Sequence, residues 1–438
     1  MTKEAILTPL QKYIKIESLS GFLLLGATLL ALIWANSPWS HMYQELWNYE
    51  LGFTSETFEI NKPLILWIND GLMAIFFFLI GLEIKREFVI GELNSTKKLA
   101  FPLVGAIGGM VFPVTLYLIF NQNPDTSHGW GVPMATDIAF ALAVLNVLGN
   151  RVPLSLKLFL MAFAIVDDIG AVMVIAIFYS GNIEVTLLLI ALGMLAVLYL
   201  LAYKDLYLKY TFFIFGIVIW VLFLKSGIHP TLAGILLAFS VPIHQKISTK
   251  SFIGNLETIT DNLKAASVLQ TPILSKEQID EIDNLQDWTS KYQSPLQQLE
   301  HKLHDWVAFI IIPVFALANA GVAFDSQYAL SWDLIITLML SLILGNSIGV
   351  TTIVLTAKKL KIISIPSDIN KTHIVGVSFL AGIGFTMAIF IASLAFRTTP
   401  EYIDSAKIGI LLGSLVSAII GYFILRYNSN RPNTVTRM

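Results

Sequence analysis

The chain has 438 residues, 55% of them hydrophobic and only 13% charged, with a mean hydropathy of +0.72. Soluble domains carry about 25% charged residues, so the composition indicates one helical membrane body rather than the two or three soluble domains the length would allow. A net charge of −2 gives no footing for nucleic acid, and the absence of cysteine excludes disulfides and thiolate metal sites.

Residues 1–17 are expected to form an N-terminal interfacial helix, with Ile6, Leu7, Leu10 and Ile14 on one side and Lys3, Lys12 and Lys15 elsewhere. No cleavable signal is expected there. Twelve apolar segments follow that are long enough to span or nearly span a bilayer. They lie near 18–36, 63–84, 99–120, 128–147, 154–179, 184–202, 209–224, 227–243, 306–322, 331–356, 372–396 and 403–426. The first eight occupy residues 18–243 and the last four residues 306–426. The seventh and eighth are short enough to be tilted or partly re-entrant. Residues 244–305 form an acidic cytoplasmic insert and loop, helical in part over 275–305, and 427–438 a cytoplasmic tail.

With a cytoplasmic N-terminus, Lys85, Arg86, Lys97, Lys98, Arg151, Lys157, Lys204, Lys209, Lys246, Lys358, Lys359, Lys361 and Lys371 all fall on the inner side. Only Lys62, Lys225, Arg397 and Lys407 fall on the outer side. This asymmetry fixes the expected orientation. The first outer loop carries Tyr43, Trp47, Tyr49, Phe53 and Phe58 around Glu50-Leu51-Gly52, which suggests a β-hairpin near 43–60. A lone hairpin is marginal in water, so a second copy of the chain is its expected partner; an interfacial aromatic belt is the other reading.

Two segments are interrupted. In the fourth, Gly131-Val-Pro133-Met-Ala-Thr136-Asp137, the proline removes a backbone donor, and Thr136 and Asp137 suit the start of a second half-helix. In the eleventh, Gly382-Ile-Gly384 permits an unwound turn. Non-helical backbone at membrane depth is tolerated only where protein or a water-filled cavity satisfies it. The triplets 99–179 and 331–426 each have the interruption in their middle member, the pattern of an inverted-topology repeat.

Asp167 and Asp168 lie mid-way along the fifth segment. A charge at such depth costs roughly 2.5–3.5 kcal/mol on insertion scales. Successive helical residues point about 100° apart, so one carboxyl can face a cavity while the other faces a neighbouring helix. Competition between H⁺ and Na⁺ or Li⁺ for one carboxylate gives exchange without further machinery. Asp137 is read as a helix cap that also completes or tunes this site. Glu83, Arg86 and Glu87 close the second segment at the inner face, and Glu300, His301 and His304 precede the ninth. This cluster reads either as a pH-sensing group or as a solvated rim. Asp70 and His229 sit near outer ends of segments.

These motifs resemble the NhaA family of sodium/proton antiporters. The resemblance is carried by Trp67-Ile-Asn-Asp70, Gly81-Leu-Glu83-Ile-Lys-Arg-Glu87, Ala135-Thr-Asp137-Ile-Ala-Phe-Ala and Ala164-Ile-Val-Asp-Asp-Ile-Gly-Ala171. It continues through Ser226-Gly-Ile-His229-Pro-Thr-Leu-Ala-Gly, Leu299-Glu-His-Lys-Leu-His-Asp-Trp306, Phe315-Ala-Leu-Ala-Asn-Ala-Gly321 and Gly382-Ile-Gly-Phe-Thr-Met. The resemblance implies an all-α membrane protein of about twelve transmembrane helices, with inverted-topology repeats, two broken crossing helices and a small outer β-hairpin. It implies a transporter, not an enzyme, exchanging Na⁺ or Li⁺ for H⁺ across the inner membrane by alternating access, pH-regulated and electrogenic, with no cofactor beyond the transported ions. Asp168 is then the principal cation ligand and Asp167 its partner, supported by Thr136, Asp137, Asn346, Gly382 and Gly384. Glu83, Arg86, Glu87, His229, Glu300, His301 and His304 carry the pH response, and the hairpin makes a homodimer within the lipid.

The chain departs from the family at Gly345-Asn346-Ser347, where a lysine is usual. Asn346 can hydrogen-bond Asp167 but carries no charge to neutralise it, so the H⁺/Na⁺ stoichiometry stays open. A cation-coupled symporter of an organic solute would need more polar cavity residues than the sequence offers. An intramembrane aspartyl protease would need carboxylates facing each other from different helices, which Asp137 with Asp168, but not the adjacent pair, can supply.

Overall fold

The computed structural model describes residues 9–54, 59–91, 94–204, 206–266, 273–323 and 329–428. Apolar runs too long and too uniformly hydrophobic for an amphipathic surface helix become helices α1 (Pro9–Ala35), α3 (Leu64–Val89), α4 (Thr96–Phe120), α6 (Leu154–Phe178), α7 (Val185–Tyr203) and α8 (Lys209–Ser226). The interfacial helix expected over 1–17 is not a separate element. From Pro9 the chain is already one continuous helix with the first span, and residues 1–8 lie outside the described residues.

Between α1 and α3 the chain forms the short helix α2 (Ser40–Asn48) and a two-stranded antiparallel sheet, β1 (Glu50–Thr54) and β2 (Glu59–Pro63). Its register pairs Leu51 with Lys62 and Gly52 with Asn61. The hairpin therefore occupies 50–63 rather than 43–60, and Glu50-Leu51-Gly52 is a strand, not its centre. Tyr43 and Trp47, four residues apart, share one helical face instead of alternating along a strand. Both are buried, and the Tyr43 hydroxyl donates to Leu317 O at 2.8 Å. The turn, including Phe58, falls outside the described residues.

The remaining helices are α9 (Thr231–Phe239), α10 (Thr249–Ala266), α11 (Lys276–Tyr292), α12 (Pro295–Asn319), α13 (Trp332–Lys359), α14 (Lys371–Ala381), α15 (Phe385–Ala395) and α16 (Ile403–Asn428). Among the described residues, eight helices are long and apolar enough to cross a membrane, or up to 11 if three bent pairs each count as one span. The expected eighth span, 227–243, falls outside this count because it is short, as its sequence suggests. Its helix has nine residues, about 14 Å at ~1.5 Å per residue against a slab of about 30 Å. It is held by Lys85 Nζ, which donates to Phe239 O at 2.7 Å and to Val241 O at 2.5 Å. This places a cation on the carbonyls that end α9.

Both interrupted segments are broken. A 3₁₀ run, Pro124–Met134, meets α5 (Ile138–Val147) at 49°, and α14 meets α15 at 41°. Each is the middle member of a triplet, α4/broken/α6 and α13/broken/α16. The triplets meet where α4 and α13 pass so closely that a side chain on Gly108 would lie 2.5 Å from Gly349 O. Helix–helix contact through small residues is the usual membrane solution. The insert folds as the antiparallel pair α10 and α11, with Phe252 stacked on Tyr292 at 4.3 Å.

Candidate functional site

The two breaks face each other. Asp137 begins α5 and accepts the Phe140 N–H at Oδ1 (3.0 Å). Its Oδ2 accepts both the N–H (3.1 Å) and the hydroxyl (2.6 Å) of Thr386 in the first turn of α15. One carboxylate thus caps two half-helices from opposite repeats, satisfying donors that a helix start leaves free and opposing both dipoles. The backbones are cross-linked as well: Asp137 N–H donates to Ile383 O at 2.6 Å, and the Thr136 hydroxyl donates to Ala381 O at 2.8 Å.

Gly382 and Gly384 have ordinary negative φ, so the break does not need them for a left-handed turn. They are needed for approach: a Cβ would sit 2.6 Å from Leu342 O at Gly382 and 2.8 Å from Ala135 O at Gly384.

Asp167 and Asp168 are both buried, at 1% and 8% exposure, and diverge as their spacing requires. Asp167 turns to the break, where its Oδ2 accepts the Thr136 N–H at 2.9 Å. Asp168 instead lines a cavity of about 50 Å³ with Thr136, Asp137, Ile165, Thr386 and Met387, facing Phe76, Leu79, Ile80 and Glu83 of α3 and His304, Val307, Ala308 and Ile312 of α12. That volume admits a few water-sized groups. Among the described residues, no three of His, Asp and Glu cluster as a resident metal site would require. The cavity gathers the carboxyls of Asp168, Asp137 and Glu83 and the two threonines around a space fit for a proton or a small cation.

Asn346 is fully buried, yet its amide does not reach Asp167. Nδ2 donates at 3.4 Å to Pro133 O and to Leu342 O, beside the break and the π turn Ser341–Gly345. The expected Asn346–Asp167 hydrogen bond is absent: Asp167 Oδ1 and Asn346 Oδ1 each lack a partner.

At the end of the molecule that carries the insert, Arg86 joins Glu87 and Glu300, each at 2.9 Å, clamping α3 to α12. Glu83 and His304 sit beside this clamp on the cavity wall, whereas His301 is exposed and outside it. His229 is far from this group, at the hairpin end. There its Nε2 lies 3.6 Å from Asp70, which also holds Lys62 of β2 at 2.8 Å.

Three rings separate the cavity from the hairpin end. Phe77 of α3 and Phe315 of α12 lie 5.7 and 6.2 Å from Phe390 of α15, all at 0–1% exposure, with His229 edge-on to Phe390 at 5.3 Å. Beyond them Asn69 and Asn319 exchange amide hydrogen bonds of 3.1 and 2.8 Å.

The sequence reading singled out Gly382 and Gly384 but passed over Thr386, two residues further along the same motif. The signal was available, since Thr386 follows its break much as Thr136-Asp137 follows Pro133. The Asn69–Asn319 pair bridges 250 positions, and neither local pattern announces it.

The sequence matches the family model described as Na⁺/H⁺ antiporter 1 over residues 11–425. It is 44% identical over 426 residues to the Na(+)/H(+) antiporter NhaA of Oleidesulfovibrio alaskensis, covering 97% of this chain and 94% of that one. It is 43% identical over 428 residues to the Na(+)/H(+) antiporter NhaA of Helicobacter pylori, covering 97% and 96%.

Proposed function

The chain belongs to the NhaA family of Na⁺/H⁺ antiporters, and from that premise we propose that it exchanges Na⁺ or Li⁺ for H⁺ at Asp168 by alternating access. The observation that carries the site assignment is the position of Asp168. It is the carboxyl of the adjacent pair that opens on the cavity, whereas Asp167 is held by the Thr136 N–H. A proton and a cation then compete for one carboxylate, and neither leaves until the other arrives. Asp167 stabilises the broken backbone and is the second proton carrier, making the exchange electrogenic. The protein needs no cofactor; Na⁺, Li⁺ and H⁺ are its cargo.

The Arg86–Glu87–Glu300 clamp and His304, at the mouth of the same cavity, carry the response to pH. The lysine and arginine distribution supports an inner-membrane orientation with both termini and the insert cytoplasmic. The sheet β1–β2 would pair with a second copy to form a homodimer, since two strands alone bury too little to stand free.

Inside-out vesicles loaded with a pH-sensitive dye test the main reading. Na⁺ and Li⁺ are expected to release protons, K⁺ is not, and Asp168→Asn is expected to abolish the response. A parent chain silent across roughly pH 6.5 to 9, where carboxyls raised by burial release their protons, would overturn the reading. An Arg86→Gln variant with the parent's pH profile would remove the clamp from the pH response.

A further inference from the structure

We propose that the Thr386 hydroxyl is a direct ligand of the transported cation, matched by the Thr136 hydroxyl across the crossing. Asp137 takes no part in coordination and serves to aim Thr386. This deepens the assignment of the transport site to Asp168 and rests on it.

A hard cation needs several oxygen donors. Among the described residues no cluster of three acidic or histidine side chains exists to supply them. Asp167 is committed to Thr136 N–H through Oδ2 and is not among the cavity-lining residues. Asp137 lines the cavity, but its two oxygens already accept three hydrogen bonds, from Phe140 N–H, Thr386 N–H and the Thr386 hydroxyl. Oδ2, which takes both Thr386 bonds, has no lone pair left for a cation, and Oδ1 is turned to the Phe140 N–H at the start of α5. Beside Asp168, the oxygens left on that wall are the two threonine hydroxyls.

Both are pre-set for the task. A hydroxyl has one proton to donate and two lone pairs. Thr386 Oγ1 gives its proton to Asp137 at 2.6 Å, and Thr136 Oγ1 gives its proton to Ala381 O at 2.8 Å. With the protons turned away toward fixed acceptors, lone pairs remain for the cavity both residues line. The acceptor of the Thr386 proton is a carboxylate, so that hydrogen bond is charge-assisted and leaves the oxygen electron-rich. Each repeat thus contributes one neutral donor from its own break, and Asp168 contributes the charge. Because the hydroxyls sit where the breaks cross, any shift of one half-helix against the other changes their separation. The site therefore weakens when the crossing moves.

The test compares Thr386→Val, which keeps the shape and removes the oxygen, with Thr386→Ser, which keeps the oxygen. Both are reconstituted as full chains and assayed for Na⁺- and Li⁺-driven proton movement. Thr386→Val is expected to raise KM for both ions about tenfold or more, equivalent to ~1.4 kcal/mol of lost affinity. Thr386→Ser should recover most of that loss. Thermal unfolding in saturating NaCl against choline chloride gives a second readout, because a ligand stabilises the state that binds it. The Na⁺-dependent rise in Tm should be present in the parent and smaller in Thr386→Val. A Thr386→Val chain with the parent's KM and the parent's Na⁺-dependent Tm overturns the proposal. So does a Thr386→Ser chain as impaired as Thr386→Val, since that points to the methyl group and packing. A parent chain that neither moves protons nor gains stability with Na⁺ overturns the Asp168 reading itself, a result distinct from either.

Discussion

Asp137 and Asp168 lie on the same cavity wall, yet their substitution should have opposite signatures. Asp137 accepts three hydrogen bonds and starts two half-helices. A hydrogen bond to a charged group contributes about 1.5–3 kcal/mol and a helix cap about 1 kcal/mol. Asp137→Ala should therefore lower Tm by several degrees, whereas Asp168→Asn, which releases no half-helix, should change Tm less and abolish Na⁺-driven proton movement. Unfolding followed by the fluorescence of the nine tryptophans measures the first effect. A Tm in Asp137→Ala equal to that of Asp168→Asn would remove the double-cap account. At this scale the sequence was legible in part. The buried pair and the capping character of Asp137 follow from residue type and depth. That the same carboxylate also caps α15, 249 positions away, does not, because only the tertiary crossing creates that contact. Asn346 shows the converse: a partnership allowed by residue type does not form, and its amide turns to the Pro133 and Leu342 carbonyls instead.

At the level of helices, the two breaks were readable because Pro133 and the Gly382-Ile-Gly384 triplet interrupt otherwise apolar runs. The hairpin was misplaced because Tyr43 and Trp47 fit both a four-residue helical spacing and a loose alternation, and only packing against α12 decides between them. The Phe77–Phe315–Phe390 cluster had no legible signal, since 28 phenylalanines are spread along the chain. Its position between the cavity and the Asn69–Asn319 pair makes it the seal on the hairpin side. Truncating a core phenylalanine costs about 3–5 kcal/mol and leaves a void; here the void connects two polar regions. Because the chain has no cysteine, Met387→Cys on the cavity wall introduces a single thiol. A membrane-impermeant maleimide added from the hairpin side should label that thiol in a Phe390→Ala background but not in the otherwise unaltered chain. A Phe163→Ala background, which opens a void between α6 and α4 away from the seal, should also stay unlabelled. Equal labelling with and without Phe390 would show that the rings do not close this path.

Taken as a whole, the molecule separates into parts whose removal has different consequences. The spans, their triplets and the charge asymmetry were legible because the bilayer forces length, apolarity and closed backbone pairing on every crossing segment. The nine-residue α9 is the short segment expected there, and Lys85 covers the carbonyls where it stops. The insert obeys no such constraint. Its helices α10 and α11 stack on each other through Phe252 and Tyr292, and Lys246 N–H donates to Lys291 O at 3.1 Å. The chain thus leaves the membrane body and returns to it at nearly one point. Beyond that neck the continuation is fixed separately, by Leu296 N–H to Pro242 O at 3.2 Å and by the Arg86–Glu300 bridge. Excising residues 249–288 and bridging the gap with a short Gly-Ser link therefore leaves both anchors intact. Closing a loop of such length differs in cost by only about 0.6 kcal/mol per doubling. The shortened chain should retain Na⁺-driven proton movement with KM and Tm close to those of the parent. A loss of the pH dependence with transport otherwise preserved would instead tie the insert to the Arg86–Glu300 clamp. A loss of transport with an unchanged Tm would place part of the mechanism in a segment that carries no chemistry of its own.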